Sequence, residues 1–198
     1  MQAFNHSLFL VINAPSHPDT VILFTATLVA VYAIWLVPAT LLLGWLRGGE
    51  HARGLMLQAA VSGLIALLLN QLIGLVWQQP RPFMIGLGHT FIAHAADSSF
   101  PSDHLTLLWA AAFSLSLNQR TEAVGFMLAL LGLPMAWARI YLGVHFPMDM
   151  LGAALVAGGS AWVCFRNAHW FVEPCLRWLN PVYRRLFAPL IRRNWVRW

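Results

Sequence analysis

TVILFTATLVAVYAIWLVPATLLLGWL, residues 20–46, runs for 27 positions without one Asp, Glu, Lys or Arg. A helix rises about 1.5 Å per residue, so this run is long enough for a bilayer core roughly 30 Å thick. Further apolar runs lie at about 54–77, 104–118, 123–142 and 147–165. The third is short, so it is expected to begin near the surface at His104 and to gain length at its C-terminal end. A soluble domain would be about 25% charged, whereas this chain of 198 residues is 10% charged and 59% hydrophobic. The expected fold is all-α: a polytopic membrane helical bundle of about five transmembrane helices in one domain.

The flanks add two elements. Phe4 to Ile12 reads as a short helix lying in the membrane interface. The first twenty residues hold no Lys or Arg, so they lack the basic start of a cleavable signal. All twelve basic residues are arginine, and seven of them (Arg166, Arg177, Arg184, Arg185, Arg192, Arg193, Arg197) follow the last apolar run, interspersed with Trp, Phe and Leu. We therefore divide the chain into a membrane-embedded part, 1–165, and a basic, aromatic, amphipathic tail, 166–198. Such a tail beside a span suits an anionic lipid surface rather than a nucleic-acid groove, and no nucleic-acid partner is expected. Cys164 and Cys175 match no metal or redox motif and read as reduced thiols.

Arginine placement also predicts orientation. Arg47 and Arg53 follow the first span, Arg120 follows the third, and seven arginines lie in the tail, whereas the opposite side carries only Arg81 outside a span. The N-terminus is expected outside and the C-terminus in the cytoplasm, with the 78–103 loop facing outward.

That loop is long and polar, as functional loops often are. Pro80 and Pro82 stiffen the backbone around Arg81. At its end, Phe100-Pro101-Ser102-Asp103-His104 leads into an apolar run, so Ser102 or Asp103 is placed to cap the third span. A helix start presents free N–H groups and a positive dipole end, which together favour a bound phosphate, with His104 in the first turn beside it. Arg139 sits in the end of the fourth span, where an ionisable group is a functional candidate. Gly143 lets the chain turn, Pro147 suits a first helical position, and His145 and Asp149, four apart, bring a carboxylate under an imidazole. Arginines bind anionic oxygens through a rigid fork of donors, and a carboxylate-held histidine is an oriented nucleophile or base. These are the parts needed to cleave a phosphate ester or anhydride. His89 and His94, with Asp97, have spacings that match no strong metal motif. They are expected to line the mouth of the pocket, and no metal or other cofactor is expected.

Arg81-Pro82, Pro101-Ser102-x-His104 and Arg139-x5-His145-x3-Asp149 resemble the three signature motifs of the type 2 phosphatidic acid phosphatase superfamily. The text from His94 to His104, with Tyr141 to Asp149, resembles its bacterial undecaprenyl-diphosphate phosphatase branch. Two positions depart from the pattern. The Lys usually found seven residues before the first-motif arginine is Gly74 here, and the Gly common in the second motif is Asp103. The Asp103 side chain is expected to point away from a bound phosphate, capping the helix or orienting an Arg or His104.

The resemblance implies two-step phosphoryl transfer. Arg81, Arg139, Ser102 and the backbone amide of Asp103 would hold the terminal phosphate, His145 oriented by Asp149 would attack phosphorus, and His104 would protonate the departing group. His89, His94 and Asp97 would line the pocket or contact the pyrophosphate. It further implies a polyprenyl diphosphate substrate, undecaprenyl diphosphate, cleaved at the outer face of the bacterial cytoplasmic membrane to the monophosphate carrier of cell-wall synthesis. The alternatives are a phosphatidylglycerophosphate or phosphatidate phosphatase, a lipid A phosphotransferase or, in another class, a non-catalytic lipid transporter.

Overall fold

The computed structural model describes residues 2–193 and 195–197. Helix α1 (Gln2–Ile12) is followed by α2 (Thr20–Tyr32), a 3₁₀ turn (Ala33–Trp35) and α3 (Leu36–Arg47). After these come α4 (Glu50–Val76), a second 3₁₀ turn (Pro82–Ile85), α5 (Asp103–Ser116), α6 (Glu122–Tyr141) and α7 (Pro147–Arg192). Four stretches among the described residues are long and apolar enough to cross a membrane: 20–47, α4, α6 and α7. The protein is a multi-pass membrane helical bundle.

The 20–47 stretch crosses as α2 and α3 with the 3₁₀ turn between them. The turn precedes Pro38, which has no N–H and crowds the carbonyl four residues earlier, at Ile34. Chain geometry tightens there rather than continuing as regular α-helix.

α5 is the centre of the bundle and packs against α4, α6 and α7. It ends at Ser116 and does not gain length at its C-terminal end, against the expectation. Its fourteen residues span about 21 Å. A short helix suffices because protein, not lipid, surrounds it: Leu105, Leu108, Ala110 and Ala112 have no exposed surface. Close approach of α6 depends on Gly132, where a Cβ would collide with the Trp109 indole. The same indole donates from Nε1 to the Ala129 carbonyl at 3.0 Å.

α7 runs unbroken past residue 166, through 46 residues and over Pro174, Pro181 and Pro189. At about 70 Å it is more than twice the thickness of a bilayer core. Its second half packs on the start of α4, with Val172 and Leu176 beside Gly54, and on the end of α3, with Tyr183 edge-on to Trp45. The chain then returns, and the Arg197 amide donates to the Leu46 carbonyl at 2.9 Å. The tail is thus a continuation of the last span, docked on the bundle. Asn194 and Trp198 of that tail lie outside the described residues.

α1 lies against α6 and α7. Phe9 is buried edge-on to Phe146, and His6 stacks on the other side of that ring. Phe4 and Val11 stay exposed.

Gly132→Val should lower stability by about 2 kcal/mol, because the core must expand around Trp109. Thermal unfolding in detergent, followed by tryptophan fluorescence, would register the change; an unaltered midpoint would mean that α5 and α6 have room to spare.

Candidate active site

Five helix ends meet at one end of the bundle: the C-termini of α1, α4 and α6 and the N-termini of α5 and α7. The 77–102 loop closes over them. Two clamps fix this loop. Asn13, just after α1, accepts from the His89 amide at 2.7 Å and donates to the carbonyls of His89 and Tyr141 at 2.9 and 3.0 Å. Gly143 turns at φ +82° with the His89 carbonyl against its Cα, so that a side chain fits in neither conformation nor space. At the loop's other end, the Ser99 amide donates to the Gln79 carbonyl at 2.8 Å.

Arg81 enters from an extended backbone between its two prolines and is buried. Its Nε and Nη2 approach Asp97 Oδ1 at 2.9 and 2.8 Å. Nη1 donates to the Val144 carbonyl at 2.9 Å and Nη2 to the Ser98 carbonyl at 3.2 Å. Arg139, in the last turn of α6, is equally buried. Its Nη1 donates to the Ala30 carbonyl of α2 at 3.2 Å, and its Nε has no hydrogen-bond partner among the described residues.

His145 stands between the two guanidinium groups and is 1% exposed. On one side, Nδ1 faces two acceptors, the Ser99 carbonyl at 3.0 Å and Asp149 Oδ2 at 3.1 Å. A ring nitrogen flanked by acceptors carries the proton, so Nε2 keeps the lone pair. Nε2 lies 3.1 Å from Arg81 Nη1 and 3.3 Å from Arg139 Nη2. Burial holds His145 well below the ordinary imidazole value of 6.5, and the charges of Arg139 and Arg81 act in the same direction. The ring is therefore neutral and its lone pair available.

Asp149 occupies the third position of α7 and has no exposed surface. One oxygen accepts from the Phe146 amide at 2.8 Å, closing the helix start, and also from the Ser99 hydroxyl. Ser99 therefore holds both members of the pair, the imidazole through its carbonyl and the carboxylate through its hydroxyl. Sequence reasoning missed it. Its one signal is a polar residue just before the Phe100-Pro101 motif.

Ser102 sits at the N-cap position of α5, fully buried, but its side chain makes no capping bond and its hydroxyl has no partner among the described residues. Its amide donates to the Asp149 carbonyl at 3.3 Å, which joins the starts of α5 and α7. The Asp103 side chain turns towards α4, not to a cap, an arginine or His104. It accepts from Asn70 at 2.8 Å and Gln71 at 3.3 Å on α4. Beside it, Gly74 lines a cleft of about 260 Å³ whose charged groups among the described residues are Asp97 and Asp103, with no cation lining it in place of the missing Lys.

His104, partly exposed in the first turn of α5, lies in the electrostatic reach of Arg139, His94 and Arg81. His94 places Nε2 at 3.1 Å from Arg139 Nη2 and packs edge-on to His145, with ring centres 5.9 Å apart. Burial lowers its pKa, and Arg81 lowers it further. His94 thus covers the face of Arg139 next to Nε2 of His145. His89 is not brought to the arginines; it is exposed and its ring lies nearest Phe91. Among the described residues no three His, Cys, Asp or Glu side chains converge as a metal-ligand set.

The PAP2 superfamily model matches residues 55–173, which span every one of these side chains from Arg81 to Asp149. The chain belongs to the PAP2 superfamily. It is similar to the undecaprenyl-diphosphatase BcrC of Bacillus subtilis (strain 168), with 38% identity over 96% of each chain. It is also similar to the putative undecaprenyl-diphosphatase YbjG of Escherichia coli (strain K12), with 34% identity over 100% of this chain and 99% of that one. Among solved structures, the crystal structure of Aquifex aeolicus LpxE matches at 25% identity with a TM-score of 0.61, over 82% of this chain and 95% of that one.

At pH 6.5, where an unperturbed imidazole is half charged, ¹⁵N spectra of histidine-labelled protein should show His145 neutral, with the proton on Nδ1. A charged ring, or a proton on Nε2, would overturn the assignment of the lone pair.

Proposed function

We propose that this protein is a metal-independent phosphatase that hydrolyses undecaprenyl diphosphate to undecaprenyl phosphate and inorganic phosphate. The observation that carries the reading is the position of His145 Nε2, within 3.3 Å of a donor on each of two guanidinium groups. The full-length likeness to two undecaprenyl-diphosphatases supports the choice of lipid.

The terminal phosphate takes the seat now covered by His94. Its oxygens meet Arg81, Arg139 and the Ser102 hydroxyl, and the unpartnered Arg139 Nε supplies another donor. Charge spread over the equatorial oxygens in the transition state is what such a fork stabilises. Nε2 of His145 attacks phosphorus; an N–P bond forms and the anhydride P–O bond breaks. Positive charge developing on the ring is balanced by Asp149 through Nδ1. Bound diphosphate offsets the charges of Arg139 and Arg81 that disfavour a charged His104; His104 takes up a proton with the substrate, gives it to the departing lipid phosphate, and recovers one from the water that cleaves the phosphohistidine. Inorganic phosphate leaves and His145 returns to its neutral state.

The substrate has its diphosphate at the membrane surface and its polyprenyl chain in the bilayer, which suits a site built from helix ends. We place that site on the outer face of the bacterial cytoplasmic membrane, with the C-terminus inside. Supporting this, α7 begins at the site, and all seven tail arginines follow its first nineteen residues, five of them on α7 itself and Arg193 and Arg197 just past its end, as expected of an inner-side signal.

Purified protein presented with undecaprenyl diphosphate should release free phosphate, also in excess chelator. His145→Ala should lower turnover by about a thousandfold or more while the protein stays folded, and Asp149→Asn should cost less because the nucleophile remains. His145→Ala activity above a tenth of the parent's would remove His145 from the nucleophilic role.

For the orientation, single cysteines at Gly88 and Arg193 would be placed in a background lacking Cys164 and Cys175. With an impermeant thiol reagent, position 88 should label in intact cells with a permeable outer barrier, and position 193 only after lysis. The reverse pattern would place the site in the cytoplasm.

A further inference from the structure

At the other end of the bundle, away from the histidines, lies a second buried arginine. Arg53, in the first turn of α4, has no exposed surface. Its Nη1 donates to Asn180 Oδ1 of α7 at 3.0 Å, and its guanidinium lies 4.7 Å from the centre of the Tyr183 ring. Nε and Nη2 have no hydrogen-bond partner, and no carboxylate pairs with the group, among the described residues. Glu50 is reached only indirectly, through the Asn180 amide, which donates to its Oε1 at 2.9 Å.

This placement is electrostatically costly. The start of a helix is its positive end, and Gly49 provides no side-chain cap there. A buried cation without a paired anion is disfavoured. A role as an inner-side topology signal does not account for Arg53, because such a signal works in water at the interface, as the exposed tail arginines do.

Asn180 also lines a cleft of about 400 Å³, together with Glu50, Pro181, Arg177, Arg184 and Arg185. The ion pair between Arg177 and Glu173, at 2.9 Å, is largely exposed and so neutralises the cleft little. The cleft meets a larger cavity of about 650 Å³ at Glu50 and Arg177, and Leu55, Val172 and Leu176 give that cavity an apolar wall. The returning chain holds this region in place: Tyr183 donates its hydroxyl to the Arg197 carbonyl at 2.8 Å.

We infer that this cleft binds the phosphate of an anionic lipid in the leaflet opposite the active site, with part of its aliphatic chain in the adjoining cavity. Arg177, Arg184 and Arg185 face the headgroup, and Arg53 adds the field of a buried charge behind Asn180. The apolar neighbour separates a lipid from free phosphate, which would use only the basic half. The inference is independent of the reaction proposed for His145.

The test uses the full-length protein in neutral detergent. Thermal unfolding and native mass spectrometry would be recorded with added phosphatidylglycerol, phosphatidylcholine or inorganic phosphate. Phosphatidylglycerol should bind and raise the unfolding midpoint, and the other two should not. Arg177→Gln with Arg185→Gln, both at the surface, should weaken phosphatidylglycerol binding by about fivefold per arginine removed. Arg53→Met should abolish the gain in midpoint; if that variant does not fold, the surface pair decides. An equal gain with phosphatidylcholine, or unchanged phosphatidylglycerol binding in the surface pair, would overturn the site. An equal gain with inorganic phosphate would overturn the lipid as its occupant.

Discussion

Two guanidinium groups buried against one imidazole set the terms for the rest of this fold. Their charges repel, and both groups are buried from the solvent that would screen them. Each is therefore supplied with acceptors by distant parts of the chain: Asp97 and the Ser98 and Val144 carbonyls for Arg81, and the Ala30 carbonyl for Arg139. The compensation is deliberately partial. Arg139 Nε and the Ser102 hydroxyl remain without partners among the described residues, a state that is costly at rest and is relieved by an incoming anion. In the reaction proposed above, the donors are fixed before the phosphate arrives, so that little reorganisation would accompany charge development.

The same constraint explains why the neutral state of His145 is secured twice. Burial and the two positive charges disfavour its protonation, and the acceptors on Nδ1 select the tautomer that leaves Nε2 open. Asp149 is in turn held by a backbone amide and by Ser99, so the pair cannot turn away from the arginines. The His145 imidazole is thus fixed by α7, the α6–α7 turn and the long loop together, and loss of any one contact would leave the others short of a partner.

Much of this was legible in the sequence, because the decisive relations are local. The four-residue spacing from His145 to Asp149, the turn at Gly143 and the prolines around Arg81 are all read within a few positions. So is the all-helical membrane class, which follows from uncharged runs. Ser99 was not legible: its two contacts lie 46 and 50 residues away, and a lone serine in a loop has no periodicity to reveal them. Asn13 was hidden for the same reason. The extent of α7 was obscured by composition. Arg166 begins a polar stretch, and three prolines follow, which read locally as helix breakers; packing on α3 and α4 overrides that preference. The third run was legible as short, but the expected lengthening of α5 was wrong, because hydropathy measures the apolar length of a run and not whether lipid or protein surrounds it.

The first membrane crossing looks, from its sequence, like a plain anchor without a single charge. In the fold, the last turn of α2 nevertheless contributes an acceptor to the active site through Ala30, just before the tightened turn at Ala33–Trp35. Hydropathy alone would allow any apolar helix of equal length in its place. Such an exchange preserves insertion into the bilayer, but it preserves the charge balance around His145 only if the new helix offers a carbonyl at the same depth and angle. The segment with the least chemical information in its side chains is therefore constrained through its backbone.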